Sequence, residues 1–472
     1  MESNVLDPRQ KALKINLDPK TYGSFAEIGA GQEVAALFFK AGAASGTIAK
    51  TISAYDMTFS DAIYGPEESG RYVCESRLMK MLDREYRLIE QRLKAVRPAD
   101  TLFFAFANTV VGLNYNKTNK GHGWLGVRFQ LTPDSAPNDV IIHVNMLDND
   151  TLLQQQAIGI IGVNLVYACF YYHDNPERML TSLIESLGVE RIEVDMMRIT
   201  GPDFKNVDNR LISLQLVKNK LTHAALFDPK GNVLQPSEVF YKKNILVLRG
   251  RFRPVTHVNM DMLDTGLAEF KSDKDVAADK VIEVCELTLA SLRSEGQIDE
   301  KDFLDRAEIL CSLGQTVLIS DYPEYFRLVS YLSGFTKAKI GIIIGIIGLT
   351  DIFNEKYYLN LKGGILEAFA ALFSRNVKIY AYPAKDTAAG GLMTCKNFRL
   401  PSNLVDLYEY LIANDKIDDI KNVKVDYLDI ISDKVLEMIR KGEPGWESMV
   451  PEKVASSIKE KKLFFYNSTQ TA

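Results

Sequence analysis

Strand-like and helix-like segments alternate along almost the whole chain, and this alternation limits what it can fold into more than any single motif does. Residues 24–28 (SFAEI) read as a strand, 29–31 (GAG) as a glycine-rich turn and 32–40 as a helix. Residues 75–96 place Leu78, Met81, Leu82, Leu88, Ile89 and Leu93 at helical spacing with charges between them, which predicts a long amphipathic helix. A strand follows at 101–107, and strands at 124–131 (WLGVRFQL) and 139–146 (DVIIHVNM) flank a turn-rich stretch, a predicted hairpin. A helix near 176–187, a strand at 191–199, a helix near 208–218 and a strand at 222–227 continue the series. The pattern restarts with a strand at 244–248 (NILVL), helices near 277–295 and 300–310, and a strand at 316–319. A helix at 325–333, a strand at 340–347, a helix at 364–373 and a strand at 377–382 complete it.

Repeated βαβ units require crossovers between parallel neighbours. The expected fold class is therefore α/β, with two domains of mostly parallel sheets, because 472 residues exceed one ordinary core. The expected layout is an N-terminal arm at 1–20 and a first domain at 21–240 with a sub-boundary near 150. A second domain at 241–465, including a charged helical end from 405, and a short tail at 466–472 complete it.

Composition narrows the function classes. With 46% hydrophobic and 25% charged residues the chain is globular in type. A net charge of -5, with Lys and Arg spread along the chain, argues against nucleic acid as a partner. The start MESNVLDPRQ has no basic segment followed by an apolar one, so a cytoplasmic location is expected. The apolar runs 157–172 and 340–349 are shorter than the roughly 18 to 20 residues of a spanning helix and are expected in the core. Cys74, Cys169, Cys285, Cys311 and Cys395 are widely spaced with no CxxC pair, which predicts reduced core thiols, and the scattered histidines predict no metal cluster.

Two segments are candidate sites. In the first, Gly29 and Gly31 let the backbone approach a phosphate at the start of the next helix, and Asp56 downstream could meet a ribose hydroxyl. Val34 stands where the third glycine of GxGxxG belongs, so a purely structural turn is the competing reading. Farther along, 120–124 (KGHGW) is a glycine-rich loop whose His122 could line a pocket, and it reads first as a flexible turn exposing that histidine.

The second segment is 249–259 (RGRFRPVTHVN), directly after a strand. It resembles the GxFxPxH or GxFxPxT signature of the nucleotidyltransferases that make nicotinate or nicotinamide adenine dinucleotide, with Gly250, Phe252, Pro254 and Thr256 at matching places. Near the other end, 431–436 (ISDKVL) and 442–454 (GEPGWESMVPEKV) look like the ISSTxIR motif and the WxxxVP helix of that superfamily. The resemblance implies a Rossmann-like second domain, an adenine nucleotide held near Gly250 with Mg²⁺ as a companion ion, and Thr256, His257 and Ser432 in the catalytic places. The sequence departs from the pattern where the chemistry is most demanding. Val258 and Asn259 replace the glycine and histidine, and Asp433, Lys434 and Glu437 replace the small residue, threonine and arginine. A carboxylate where an arginine should meet phosphate opposes phosphoryl chemistry. Longer phrases, including 25–31 (FAEIGAG), 45–65 and 353–358 (FNEKYY), resemble a family of bacterial proteins of this length. Its members are often called nicotinate-nucleotide adenylyltransferase or TonB-dependent receptor. The second name would need a signal peptide and many alternating strands, and neither is visible. The expectation is a nucleotide-binding protein with degenerate catalytic motifs. The alternative is a non-catalytic scaffold that self-assembles into a homo-oligomer or filament through its 23 Phe and 21 Tyr.

Overall fold

The computed structural model describes residues 5–68, 70–294, 296–373, 376–387 and 390–466. The chain is α/β and divides into two compact units, Met1–His223 and Ala224–Ala472. The tail expected at 466–472 lies outside the described residues from Asn467 onward.

The first unit carries a sheet ordered β2-β1-β3-β4-β5-β6. Its strands are β1 (Thr21–Gly29), β2 (Ile48–Ala54), β3 (Leu102–Val111), β4 (Gly121–Phe129), β5 (Asn138–Met146) and β6 (Ile192–Thr200). β1 pairs in parallel with both β2 and β3, whereas the pairs β3–β4, β4–β5 and β5–β6 are antiparallel, with the expected hairpin joining β4 and β5. Helices α1 (Pro8–Asn16), α2 (Glu33–Ala41) and α5 (Thr151–Tyr171) pack together over the core that holds Phe25, Phe38, Phe104, Phe106 and Phe129. Helix α4 (Glu75–Leu93) lies against β1, β3 and β4, with Leu78 and Leu82 beside Gly126. Arg128 of β4 locks α4 to the sheet, donating two hydrogen bonds of 2.8 Å to Asp139 and one of 3.0 Å to Asp83.

Within the described part of the expected arm, residues 5–20 are not loose. Asp7 and Gln10 cap α1 reciprocally, with Pro8 in the first turn, and Ala12 and Ile15 enter the core. Lys11 is buried with its Nζ 2.7 Å from Asn164 Oδ1 and 2.5 Å from Glu185 Oε2. Nor does the chain divide near 150, because β5 and β6 on either side of that point share one sheet. The apolar run 157–172 belongs to the 21-residue α5, which is long and apolar enough to cross a membrane, yet 72% of its most apolar window is buried inside the fold.

The second unit begins at Ala224, not near 240. The turn 228–231 joins β7 (Ala224–Phe227) to β8 (Val233–Leu234), and β7 hydrogen-bonds to the second sheet. The remaining strands of that sheet are β9 (Asn244–Arg249), β10 (Val281–Thr288), β11 (Thr316–Ser320), β12 (Ile340–Gly345), β13 (Val377–Tyr382) and β14 (Ile417–Asp419). The sheet order is β14-β13-β12-β9-β10-β11-β7-β8, parallel from β14 to β11. Counted from β9, the parallel strands run 3-2-1-4-5-6, the doubly wound Rossmann order. Residues 277–295 are mainly the strand β10 rather than a helix. Apolar side chains at 281, 282, 284, 285 and 287 suit helical spacing, but two parallel neighbours enclose the segment and bury 284–288, which makes it a core strand.

Candidate functional site

In a sheet of this order the strand sequence reverses at β9, and ligands bind in the crevice outside the carboxyl ends of the strands there. Residues 250–256 leave β9 at that place and lead into helix α8 (His257–Ser272). The turn is held from below. Gly250 N donates to the Glu286 carbonyl at 3.2 Å, and a Cβ on Gly250 would lie 2.8 Å from the Phe252 ring, which is buried. Arg253 donates from Nε to Asp302 Oδ1 at 2.5 Å. Asp302 also pairs with the fully buried Arg306, whose Nη1 donates to the carbonyls of Arg251 (3.1 Å) and Ser291 (3.0 Å). Two guanidinium groups and one carboxylate thus fix the path of the turn.

Arg249, at the end of β9, is fully engaged. It makes a bidentate pair with the buried Glu286 at 2.7 and 3.0 Å, donates to the carbonyls of Tyr322 and Pro323, and stacks 4.3 Å above the Tyr325 ring. With Tyr325, Asp351, Tyr357 and Tyr358 it borders a cavity of about 250 Å³. Thr256 and Asn259 cap α8 reciprocally, Asn259 Oδ1 accepting from Thr256 N at 2.9 Å, so both polar side chains serve the helix. The His257 ring stacks on Tyr427 with centroids 4.9 Å apart, and burial together with Lys424 lowers its pKa below the ordinary value. His257 also borders a hollow of about 430 Å³ with Glu447, Glu452, Ser456 and Lys459. Ser432 opens the helix Ser432–Lys441, and its neighbour Asp433 accepts from Arg251 Nη1 at 3.1 Å. The fold thus brings the segment of Gly250, Thr256 and His257 to the helix that Ser432 begins.

Gly29, Gly31 and Asp56 belong to the other unit, and their neighbours account for them. Gly29 has φ +74° and a Cβ there would lie 2.1 Å from the Val110 carbonyl oxygen, while at Gly31 it would meet the Asn108 amide. The N–H groups of Val34 and Ala35, in the first turn of α2, donate to Glu27 Oε1 at 3.1 and 3.3 Å. A carboxylate of the protein therefore occupies the helix N-terminus. Asp56 caps helix α3 (Met57–Tyr64), accepting from Phe59 N at 2.8 Å. His122 is not in an exposed turn but in β4, half-buried. Sequence reasoning missed Glu27, whose one signal is an acid inside an apolar strand, and missed Asp302, which reads as an ordinary helix-start acid.

Burial raises the Glu27 carboxyl from 4.5 to about 7, against the two backbone N–H groups that favour its charged form. The folded chain therefore holds a proton there that the unfolded chain has released between those pH values. Stability from this group is full below pH 4.5 and is lost as pH rises through 7, by about 3 kcal/mol. In thermal unfolding from pH 5 to 8, Glu27→Gln, which keeps an acceptor for both N–H groups, is expected to lose that share of the pH dependence.

No family model and no curated protein sequence matches this chain. Among solved structures it is similar to the competence/damage inducible protein CihA of Agrobacterium tumefaciens, at 16% identity and a TM-score of 0.26, over 34% of this chain and 95% of that one. It is likewise similar to a competence-damaged protein (CinA) superfamily protein of Klebsiella pneumoniae, at 12% identity and a TM-score of 0.26, over 34% of this chain and 93% of that one.

Proposed function

We propose that the second unit binds a nucleotide at the carboxyl edge of its parallel strands, as a relative of nicotinate and nicotinamide mononucleotide adenylyltransferases whose catalytic groups have taken structural roles. The observation that carries this reading is position: the turn 250–256 leaves the first strand of a 3-2-1-4-5-6 sheet, where the strand order reverses. The cavity beside it offers the Tyr357 and Tyr358 rings to a base and the Asp351 carboxylate to ribose hydroxyls. Binding is favoured over transfer, because Thr256 and Asn259 are engaged in a helix cap and Asp433 sets a carboxylate against Arg251. ATP would arrive with Mg²⁺ shielding its phosphates.

Thermal unfolding across a panel of nucleotides and dinucleotides, with and without Mg²⁺, tests the reading. A ligand at about 100 times its Kd stabilises the native state by about 2.7 kcal/mol. A selective upward shift that Tyr357→Ala abolishes is expected, with no pyrophosphate released from ATP and nicotinate mononucleotide. A flat panel would overturn it and favour self-assembly through exposed apolar side chains such as Leu359 and Leu366, which light scattering would detect.

A further inference from the structure

A chain of buried and half-buried polar side chains crosses the first sheet at β4, β5 and β6, on the face that α4 covers. His122 Nδ1 lies 3.1 Å from His143 Nε2, and His143 Nδ1 lies 2.6 Å from Asp195 Oδ1. Asn145 donates to Asp195 Oδ2 at 2.9 Å and to Glu193 Oε2 at 3.0 Å, and Thr222 donates to Glu193 Oε1 at 2.6 Å. His143 and Asp195 are almost fully buried, Trp124 packs edge-on against His143, and of His122, His143 and Asp195 it is His122 that reaches the surface.

The backbone is built to make this contact. β5 and β6 pair regularly from Met146 with Ile192 to Val144 with Val194, and then the register slips so that His143 faces Met196 and Asp195 is left over. A bulge of this kind re-aims a side chain at the expense of regular pairing, and here it turns Asp195 onto His143. In register, His122 sits opposite Val111 at the end of β3, one position beyond the row that links Gly29 to Val110. It therefore lies at the carboxyl edge of the parallel strands, under the segment whose Tyr72 carbonyl accepts from Thr109 Oγ1 at 2.8 Å. Among the described residues no group of three or more His, Cys, Asp or Glu side chains is placed to hold a metal ion.

The proton positions follow from the partners. Asp195 as a carboxylate accepts from His143 Nδ1–H, so His143 Nε2 accepts from His122 Nδ1–H, and His122 Nε2 presents a bare lone pair. We propose that Asp195, His143 and His122 form a proton relay, ending at His122 Nε2, that draws a proton from water or a hydroxyl-bearing substrate at the carboxyl edge of the first sheet. In that step the O–H bond breaks and an Nε2–H bond forms on His122. The proton on His122 Nδ1 passes to His143 Nε2, and the positive charge comes to rest on the imidazolium beside Asp195. The base strength at the surface is thus supplied by the buried pair. The His122 ring itself is poorly suited to holding the charge. Burial, then the neighbouring His143, with Arg71 also opposing, lower its pKa to about 4, while Asp195 acts the other way.

Acylation by diethyl pyrocarbonate reads the bare nitrogen directly, because the reagent attacks an unprotonated ring nitrogen. With peptide mass spectrometry on the full chain at neutral pH, His122 is expected to react rapidly. In Asp195→Asn, Asn145 still donates to the side-chain oxygen, so the new amide turns its N–H toward His143 Nδ1, reverses both tautomers and protonates His122 Nε2. Acylation of His122 should fall by about tenfold or more, with His173 and His257 as internal references whose rates do not change. An unchanged rate at His122 in that variant overturns the proposal. Nitrogen NMR of histidine-labelled wild-type protein gives a second test that needs no variant: a proton on His122 Nδ1 is expected, and one on Nε2 overturns the relay.

Discussion

Asp302→Ala is expected to destabilise the second unit by about 3–5 kcal/mol, because it leaves two buried guanidinium groups without their carboxylate. Arg253 and Arg306 both donate to Asp302, and Arg306 is fully buried. Neither can lose its proton in a protein, so each must rearrange toward water or stay unpaired. The damage should reach the turn 250–256, since Arg306 holds the Arg251 carbonyl and Arg253 lies within the turn itself. Denaturant unfolding measures the first effect. Asp302→Asn, which keeps an acceptor oxygen, should lose less. An alanine variant within about 1 kcal/mol of wild type would show that the turn is held by other contacts.

Glu185→Ala is expected to cost about 3 kcal/mol in the first unit, and Lys11→Met distinctly less. The asymmetry follows from who remains. Without Glu185, the Lys11 ammonium stays buried with Asn164 Oδ1 as its one hydrogen-bond partner, and burial already lowers its pKa. Without Lys11, Glu185 retains Arg178 at 2.5 Å, and the main loss is an acceptor left idle on Asn164, worth about 1–2 kcal/mol. Unfolding of the two variants side by side checks the order; equal losses would place the energy in the apolar packing of α1.

The two predictions fall on residues of different legibility. Asp7, Pro8 and Gln10 form a visible helix start, yet Lys11 in the next turn reads as a solvent-facing cation until Asn164 and Glu185 are known to lie beside it. Asp302 likewise reads as a first-turn acid favoured at any helix N-terminus. Its role depends on a turn 49 residues earlier in the chain. The relay is less visible still, because a one-residue slip in pairing, not any spacing of His and Asp, brings His143 to Asp195.

Local spacing settles whatever depends on near neighbours. Helical spacing marks α4, the stretch 132–138 marks the β4–β5 hairpin, and the turn 249–256 is recognisable because it follows a strand directly. The α/β class follows from the alternation of such segments. Features that depend on a partner distant in the chain are set only when the sheets assemble. β10 is a strand because two parallel neighbours enclose it, β7 joins the second sheet because β11 offers it a free edge, and the helix N-terminus behind Gly31 is closed to phosphate because Glu27 reaches it first. Burial and pairing are set by the whole chain, so identical local patterns acquire different structures and different chemistry once the sheets assemble.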